Sequence, residues 1–431
     1  MNISIVSVFP ELYQPFFSTS LLKRVQEKGI ISFDVADYFS FVAPKERIDA
    51  PSFGPGAGML LRPEVVQKAI ESQEGKFGKS FKIFFSPQGK KVDQSLLKTL
   101  APTLMQQKHI MLMPARYEGM DSRVEEHYAD LVLSVGDFVV MGGDIPAMLF
   151  LEGMLRLIPD VVGKQESVER DSFMGPFVDY PEYTEPLEWQ GMKVPEIIRS
   201  GHHAAIEQWR QEQAAQKTVL HHFDWLRSKV ATQEQKKLAE RFIPAHYAAL
   251  MHSDVVLGPE QVGASSVTSI DIHDGSRSCK TYGLKNYFIV TPLKDQQAIV
   301  RTLLDFWHGS QGQDYNPSRA KAVKQVELVS TLDEVLAAIE KKEGKKPLLI
   351  ATSAKRTDGR LVHYFDQEKV WAQSRPILLL FGTAKGLSKA VLDRCDYILG
   401  PIEGFSDFNH LSVRSAMAVV LDRWLGINIK E

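Results

Sequence analysis

Cysteine is nearly absent: Cys279 and Cys395 are the only two in 431 residues. They are too few for a disulfide-stapled secreted scaffold or a four-cysteine zinc site, so a reducing compartment, the cytoplasm, is the expected location and no metal is assigned. No stretch approaches the roughly eighteen consecutive apolar residues of a membrane span. The start MNISIVSVFP carries neither a basic leader nor a signal-peptide core before Pro10, so neither secretion nor a membrane partner is expected. Excess charge is missing too. With 51 Lys and Arg against 53 Asp and Glu, a histone-like chain is excluded, and any nucleic-acid surface has to be assembled by folding. Low-complexity tracts and short-period repeats do not occur. The length suggests two or three domains at roughly 150 residues each, large enough to bury their own cores.

What is present is an alternation of strands and helices. ISIVSVF, ISFDVADY, FKIFFSP, HIMLMPA and LVLSVGDFVV read as strands, and LRPEVVQKAIES and IPAMLFLEGMLRLIP as helices. This pattern is that of an α/β domain with a largely parallel sheet, whose ligands sit beyond the carboxyl ends of the strands. PSFGPGAG places three glycines and two prolines between Pro51 and Gly58, which cannot be a helix interior. After several prolines from Pro176 to Pro195, AAIEQWRQEQAAQKTVL and EQKKLAERF read as a small helical domain. SVTSIDI, NYFIVTP, QVELV, LLIATSA, ILLLFG and YILGPI then give a second α/β pattern, with GSQGQDYNP (309–317) as a loop.

The unusual segments fall at predicted strand ends. SPQGKKVDQ (86–94) is either an ordinary turn with solvated lysines or a small nucleoside-like site; it matches neither GxGxxG nor GxxxxGKS. RYEGMDSRV (116–124) crowds Arg116, Glu118, Asp121 and Arg123, as a surface ion-pair cluster or a ligand site. In SVGDFVVMGGDIPAM (134–148), capping alone accounts for Asp144 and Pro146. Gly142 and Gly143 imply close approach of backbone to a ligand or a crossing chain. Arg156 can snorkel from its apolar helix or hold an anion, and Asp171 can accept a proton or cap a helix.

Together with IVSVFPE (5–11), FGPGAGM (53–59), RDSF (170–173) and GMKVPEIIRSGHHAAIEQWR (191–210), these ordered motifs resemble the bacterial tRNA (guanine-N1)-methyltransferase family, TrmD, of the SPOUT superfamily, over residues 1 to 250. The resemblance implies a trefoil-knotted α/β SPOUT domain (1–165), a linker (166–179), a helical tRNA-binding domain (180–250) and a homodimer with sites built from both subunits. It implies S-adenosylmethionine as cofactor, with magnesium admissible, held by Ser86, Pro87 and Gly89, by Ala115, Arg116, Tyr117 and Glu118, and by Val135, Gly136, Asp137, Phe138, Val139, Val140, Gly142, Gly143 and Pro146. Ala115 stands where the family has glycine, Phe138 where it has tyrosine and Asp144 where it has glutamate. By the same resemblance Asp171 is the general base for the N1 proton of guanine 37 and Arg156 supports charge developing on the base. Arg199, His202, His203 and Arg210 become candidate RNA contacts.

Residues 254–431 resemble a second SPOUT-like RNA methyltransferase domain through LLLFGTAKGLSKAVLDRCDYILGPIEG (378–404) and HLSVRSAMAVVLDRWLG (410–426). That implies cofactor loops at Gly382 to Gly386, Gly400 to Gly404 and Leu411 to Arg414. Asp271, His273, Asp274, Arg277 and Tyr282 are further polar candidates, with DIHD read as a strand-end turn. The alternative is a noncatalytic dimerisation or tRNA-positioning module.

Overall fold

In the N-terminal unit, Met1–Met174, apolar side chains leave both faces of the strands. Ile3, Ile5, Ile83, Phe85, Ile110 and Leu112 pack on one side with Phe150 and Leu151; Val6, Phe84, Met111 and Met113 pack on the other with Val65, Val66 and Ile70. A sheet covered on both faces is the reason these strands read as continuous apolar runs. The computed structural model describes the chain except residues 55–57, 163–170, 230, 357–359 and 428–431. Part of the Gly- and Pro-rich PSFGPGAG segment and of the expected 166–179 linker thus lies outside the described residues.

The five strands are β1 (Asn2–Ser7), β2 (Ser32–Asp37), β3 (Phe81–Lys91), β4 (His109–Met113) and β5 (Leu131–Ser134), all parallel in the order β2-β1-β4-β3-β5. Helix α1 (Pro63–Phe77) begins with its proline and stops at Gly78, where φ is +82°. The one imidazole in this sheet, His109, is satisfied by Ser4 Oγ at 2.7 Å and the Gly78 carbonyl at 2.8 Å. Strand β3 does not stop at Pro87 as its sequence suggests. It continues to Lys91 and its register against β5 jumps between Phe85 and Lys90. Ser86–Gly89 is therefore a bulge, where a proline without an N–H is tolerated.

The second unit, Gly175–Glu431, carries β6 (His246–Met251), β7 (Asn286–Val290), β8 (Val326–Val329), β9 (Leu348–Thr352), β10 (Leu361–Val362), β11 (Ile377–Gly382) and β12 (Tyr397–Leu399), again all parallel, in the order β8-β7-β6-β11-β9-β12-β10. Its inner run β7-β6-β11-β9-β12 repeats the strand order of the first unit, with β8 and β10 added at the edges.

Further expectations differ from this structure, among them DIHD, which lies inside the helix Ser269–Thr281 rather than in a strand-end turn. His246–Met251, taken as the end of the helical segment, is the first strand of the second sheet, and its complete burial explains the apolar run. SVTSIDI forms no strand: Ser269–Thr281 is a helix, started by a capping box between Thr268 and Asp271 that outweighs the β-branched residues before it. GSQGQDYNP is not a loop, because Ser310–Tyr315 is helical and Gly312 lets it pass close to Phe306 and Trp307. The helices His203–His221 and Gln233–Glu240 form as the pattern suggests. They share the core of the C-terminal sheet, where Val219, Phe223 and Leu226 are buried with Trp371 and Trp424. Among the described residues, no helix is long and apolar enough to cross a membrane.

Candidate functional site

In the N-terminal unit the three predicted cofactor segments are drawn together by backbone. A Cβ on Gly89 would lie 2.6 Å from the Leu133 backbone, and one on Gly143 would lie 2.7 Å from Pro114 Cα and Ala115 N. Gly143 also donates to the Ala115 carbonyl at 2.7 Å. The double glycine thus serves a crossing chain. Ala115 is not in the left-handed region, so its methyl is unstrained; the residue held there is Tyr117, at φ +59°.

Arg116 binds the segments to one another. Its Nη1 donates to the Met141 carbonyl at 2.7 Å, its guanidinium lies 4.6 Å from the Phe9 ring centroid, and Nε is buried with no hydrogen-bond partner among the described residues, 3.8 Å from Asp144 Oδ2. Asp144 does not cap its helix, α2 (Asp144–Leu155): the N-cap is Gly143, and the Asp144 side chain turns inward. There it accepts from Ser7 Oγ at 2.6 Å and Tyr13 Oη at 3.0 Å. Burial, then Asp144, pushes the Tyr13 phenol well above its ordinary pKa and keeps it a donor. Asp137 pairs with Lys91, and the Phe138 ring covers Gly136. Val139 is 85 % exposed and Met141 89 %.

Arg156 caps the far end of α2 and Asp171 follows in an irregular turn; their side chains form a hydrogen-bonded ion pair, Nη2 to Oδ2. Arg156 does not merely snorkel, and no helix starts at Phe173 for Asp171 to cap. The twelve-residue helix separates this pair from Gly143 by about 18 Å.

The C-terminal unit holds a cleft of 1080 Å³ at the carboxyl ends of β6, β9, β11 and β12. Gly382, Gly386, Gly400 and Leu411 line it as expected, whereas Gly404 does not. Arg414 reaches its edge through Asp271, with Nη1 3.7 Å from Oδ1, and lies 3.8 Å from Asp274. Asp271 and Asp274 share a helix face, three residues apart. His273 packs instead on Trp307, ring centroids 5.2 Å apart, and Tyr282 donates to Asp422 at 3.0 Å. His252 and Ser265 are among the wall residues that no motif marks. The only signal for His252 in the sequence is a polar HS directly after an apolar strand, and Ser265 has none.

Residues 1–228 match the family described as tRNA (Guanine-1)-methyltransferase TrmD, and residues 245–426 match one described as SAM-dependent RNA methyltransferase. The chain belongs to the TrmD family. A tRNA (guanine-N(1)-)-methyltransferase of Oleidesulfovibrio alaskensis is 36 % identical over 434 residues, covering 99 % of each chain, and one of Nitratidesulfovibrio vulgaris is 35 % identical over 437 residues with the same coverage. The Bacillus velezensis enzyme of that name is 38 % identical over 239 residues, 55 % of this chain and 97 % of its own. The first two relatives thus cover both units, whereas the match to the third covers little more than half of this chain.

Both units of this TrmD chain fit a nucleoside-containing cofactor. In the first, backbone packed too tightly for side chains leaves Arg116 Nε unpaired beside apolar loop residues. In the second, the cleft is of the size that small-molecule sites have, roughly 300–1,000 Å³. Of the candidate RNA contacts, Arg199 and His203 are exposed. His202 accepts from Ala205 N at 3.2 Å as a helix cap, and Arg210 lies over the Tyr180 ring at 4.7 Å.

Proposed function

We propose that the N-terminal unit, completed by a second copy of the chain, transfers a methyl group to N1 of guanine 37 of tRNA. As a TrmD member the chain is an S-adenosylmethionine-dependent tRNA (guanine-N1)-methyltransferase; the position and the division of labour between subunits are our reading. The observation that carries it is the Arg156–Asp171 pair. Asp171 accepts the N1 proton, and Arg156 holds that carboxylate in place and faces the charge that develops on the base. Bound S-adenosylmethionine would supply an activated methyl. Ser86 to Gly89, Ala115 to Glu118 and Val135 to Pro146 hold and orient it.

Because the pair stands about 18 Å along α2 from the loops of its own chain, a homodimer brings one chain's pair to the other's loops. The apolar residues Phe138, Val139, Met141, Ile145 and Leu149, all exposed on this loop and helix, supply a surface for that contact. The close crossings at Gly89 and Gly143 support a trefoil knot through these loops. We assign residues 1–165 to the methyltransferase domain and the helices up to residue 243 to tRNA binding. The test is incubation of the purified chain with guanine-36, guanine-37 tRNA and S-adenosylmethionine, then nuclease digestion and mass spectrometry; absence of N1-methylguanine at position 37 rejects the reading.

For the C-terminal unit we propose a second S-adenosylmethionine site in the 1080 Å³ cleft, in preference to a noncatalytic positioning module. Calorimetry on the full chain should find two cofactor sites per chain. One should be lost in Gly382→Val, whose Cβ would lie 2.6 Å from Leu387 N. A single site in the unaltered chain favours the positioning module.

A further inference from the structure

We propose that the C-terminal cleft is itself a methyl-transfer site, in which Nε2 of His252 takes the proton of an O–H or N–H group on an RNA nucleotide. This rests on the proposed cofactor site in that cleft and goes beyond it by naming the acceptor chemistry.

His252 follows β6 directly, is 1 % exposed and forms part of the cleft wall. Its tautomer follows from a chain of hydroxyls. Thr383 Oγ1 donates its single proton to the Met251 carbonyl at 2.9 Å, and Ser265 Oγ lies 2.6 Å from Thr383 Oγ1. Each hydroxyl has one proton, so Ser265 must donate to Thr383 and its own oxygen is left to accept. The atom facing it, at 3.1 Å, is Nδ1 of His252. Nδ1 therefore carries the proton, and Nε2 is a bare lone pair. It is buried and has no hydrogen-bond partner among the described residues.

The neighbouring His246 shows what a purely structural histidine on the same strand looks like. Its Nδ1 is bonded to the Pro244 carbonyl at 2.6 Å and its Nε2 accepts from Trp424 Nε1 at 3.0 Å, so neither nitrogen is left over. A buried acceptor without a donor is rare in native proteins, and one on a cleft wall calls for a ligand that brings a donor. Burial holds the His252 pKa below its ordinary value, against the opposing pull of Asp271 and the Ser266 carbonyl. The ring is thus neutral at pH 7, the form that accepts a proton.

In the transfer, the acceptor's lone pair forms the bond to the methyl carbon and the sulfur–carbon electron pair stays on the cofactor's sulfur. The acceptor's proton passes to Nε2, the Asp271 carboxylate stabilises the resulting imidazolium, and the proton then leaves to water. No oxidant or reductant is needed. Among the described residues, Lys355, Tyr364, Lys385 and His410 are the other ionisable groups on the wall besides Asp271, and Arg414 stands behind Asp271.

The test uses the full chain with the first site silenced by Asp171→Asn. Nitrogen NMR of histidine-labelled chain without ligand should show His252 protonated on Nδ1 and bare on Nε2, with His252→Asn giving the assignment; the opposite tautomer overturns the proposal. Calorimetry should find cofactor binding at the C-terminal site within about threefold of its unaltered value in His252→Asn. Transfer of tritiated methyl to unmodified tRNA and ribosomal RNA transcripts should fall by about 10²-fold or more, the scale of a positioned base. The rate before substitution should decline as pH falls through the His252 titration, and Ser265→Ala should move that limb. Mass spectrometry of digested RNA separates ribose 2′-oxygen from base-nitrogen acceptors. Cofactor bound without transfer, or transfer surviving His252→Asn, overturns the proposal alone; no cofactor bound in the C-terminal cleft overturns the underlying reading as well.

Discussion

In the N-terminal unit the loop after β5 holds Phe138, Val139 and Met141 out to solvent, whereas in the C-terminal unit the loops after β11 and β12 fold over a 1080 Å³ cleft. The same strand order thus carries two kinds of site. One presents apolar side chains on a glycine-tightened loop and keeps its ion pair a helix length away, the arrangement on which the proposed homodimer rests. The other encloses its cleft within one chain and places a bare histidine nitrogen on the wall. The difference teaches that the order of strands determines where a ligand can sit, at the carboxyl ends, while loop composition determines whether those ends are covered by a cleft or left with apolar side chains exposed.

The strongest way to break the comparison is at Asp171. Replacement by asparagine keeps the shape and removes the proton acceptor, so single-turnover methyl transfer to tRNA should fall by about 10²-fold or more, with tRNA and cofactor binding near their unaltered values. Transfer close to normal would make the Arg156–Asp171 pair structural. Mixed dimers sharpen the point. Since Arg156 and Asp171 meet on one chain, combining Asp171→Asn with Arg156→Ala subunits should restore no activity. Combining Asp171→Asn with Gly143→Val, which disturbs the cofactor loop, should restore a fraction, because one of the two sites is then intact. No recovery with this second combination, despite proven heterodimers, would place each site within a single chain.

Stability separates the units as well. Arg227 is buried in the C-terminal unit and donates to the carbonyls of Asp422, Arg423 and Gly426 at 2.8–3.0 Å, closing the end of the last helix. Arg227→Ala removes all three bonds and should cost about 3 kcal/mol in the urea transition of that unit, with the N-terminal transition unmoved. His246 gives a comparable effect, read by pH. Burial holds it down to about 4, the Pro244 carbonyl only partly opposing, so the unfolded chain binds its proton first. The stabilisation is complete above the unfolded value of about 6.5 and is lost as pH falls from there to about 4, about 3 kcal/mol in all. Thermal melts of His246→Gln should lack that part of the acid slope. The smallest effect expected is that of Phe138→Tyr. The ring is 58 % exposed, so the added hydroxyl meets solvent and stability should change by no more than about 0.5 kcal/mol.

Much of the N-terminal site was legible because its chemistry is written in short consecutive segments: 86–89, 115–118 and 135–146 lie at strand ends in sequence and in space. Less visible were tasks assigned across the fold. Asp144, which local rules make a cap, is turned inward by Ser7 and Tyr13 from more than 130 residues away in sequence. Arg116, read as a ligand contact, also ties the Met141 carbonyl and the Phe9 ring to its own loop.

Apolar periodicity and glycine placement, both local properties, pointed to two largely parallel α/β patterns and the positions of their loops, while the family came from the ordered motifs that the chain shares with it. Partnership was decided by the tertiary structure. Residue spacing carries no information on which hydroxyl receives the proton of Nδ1 in His252, because Ser265 and Thr383 come from distant parts of the chain and only the packed loops bring them within 3.1 and 2.6 Å of their neighbours. Local pattern sets the elements through side-chain periodicity. Protonation, pairing and the boundary at His246 depend on which buried groups find one another once water has been excluded.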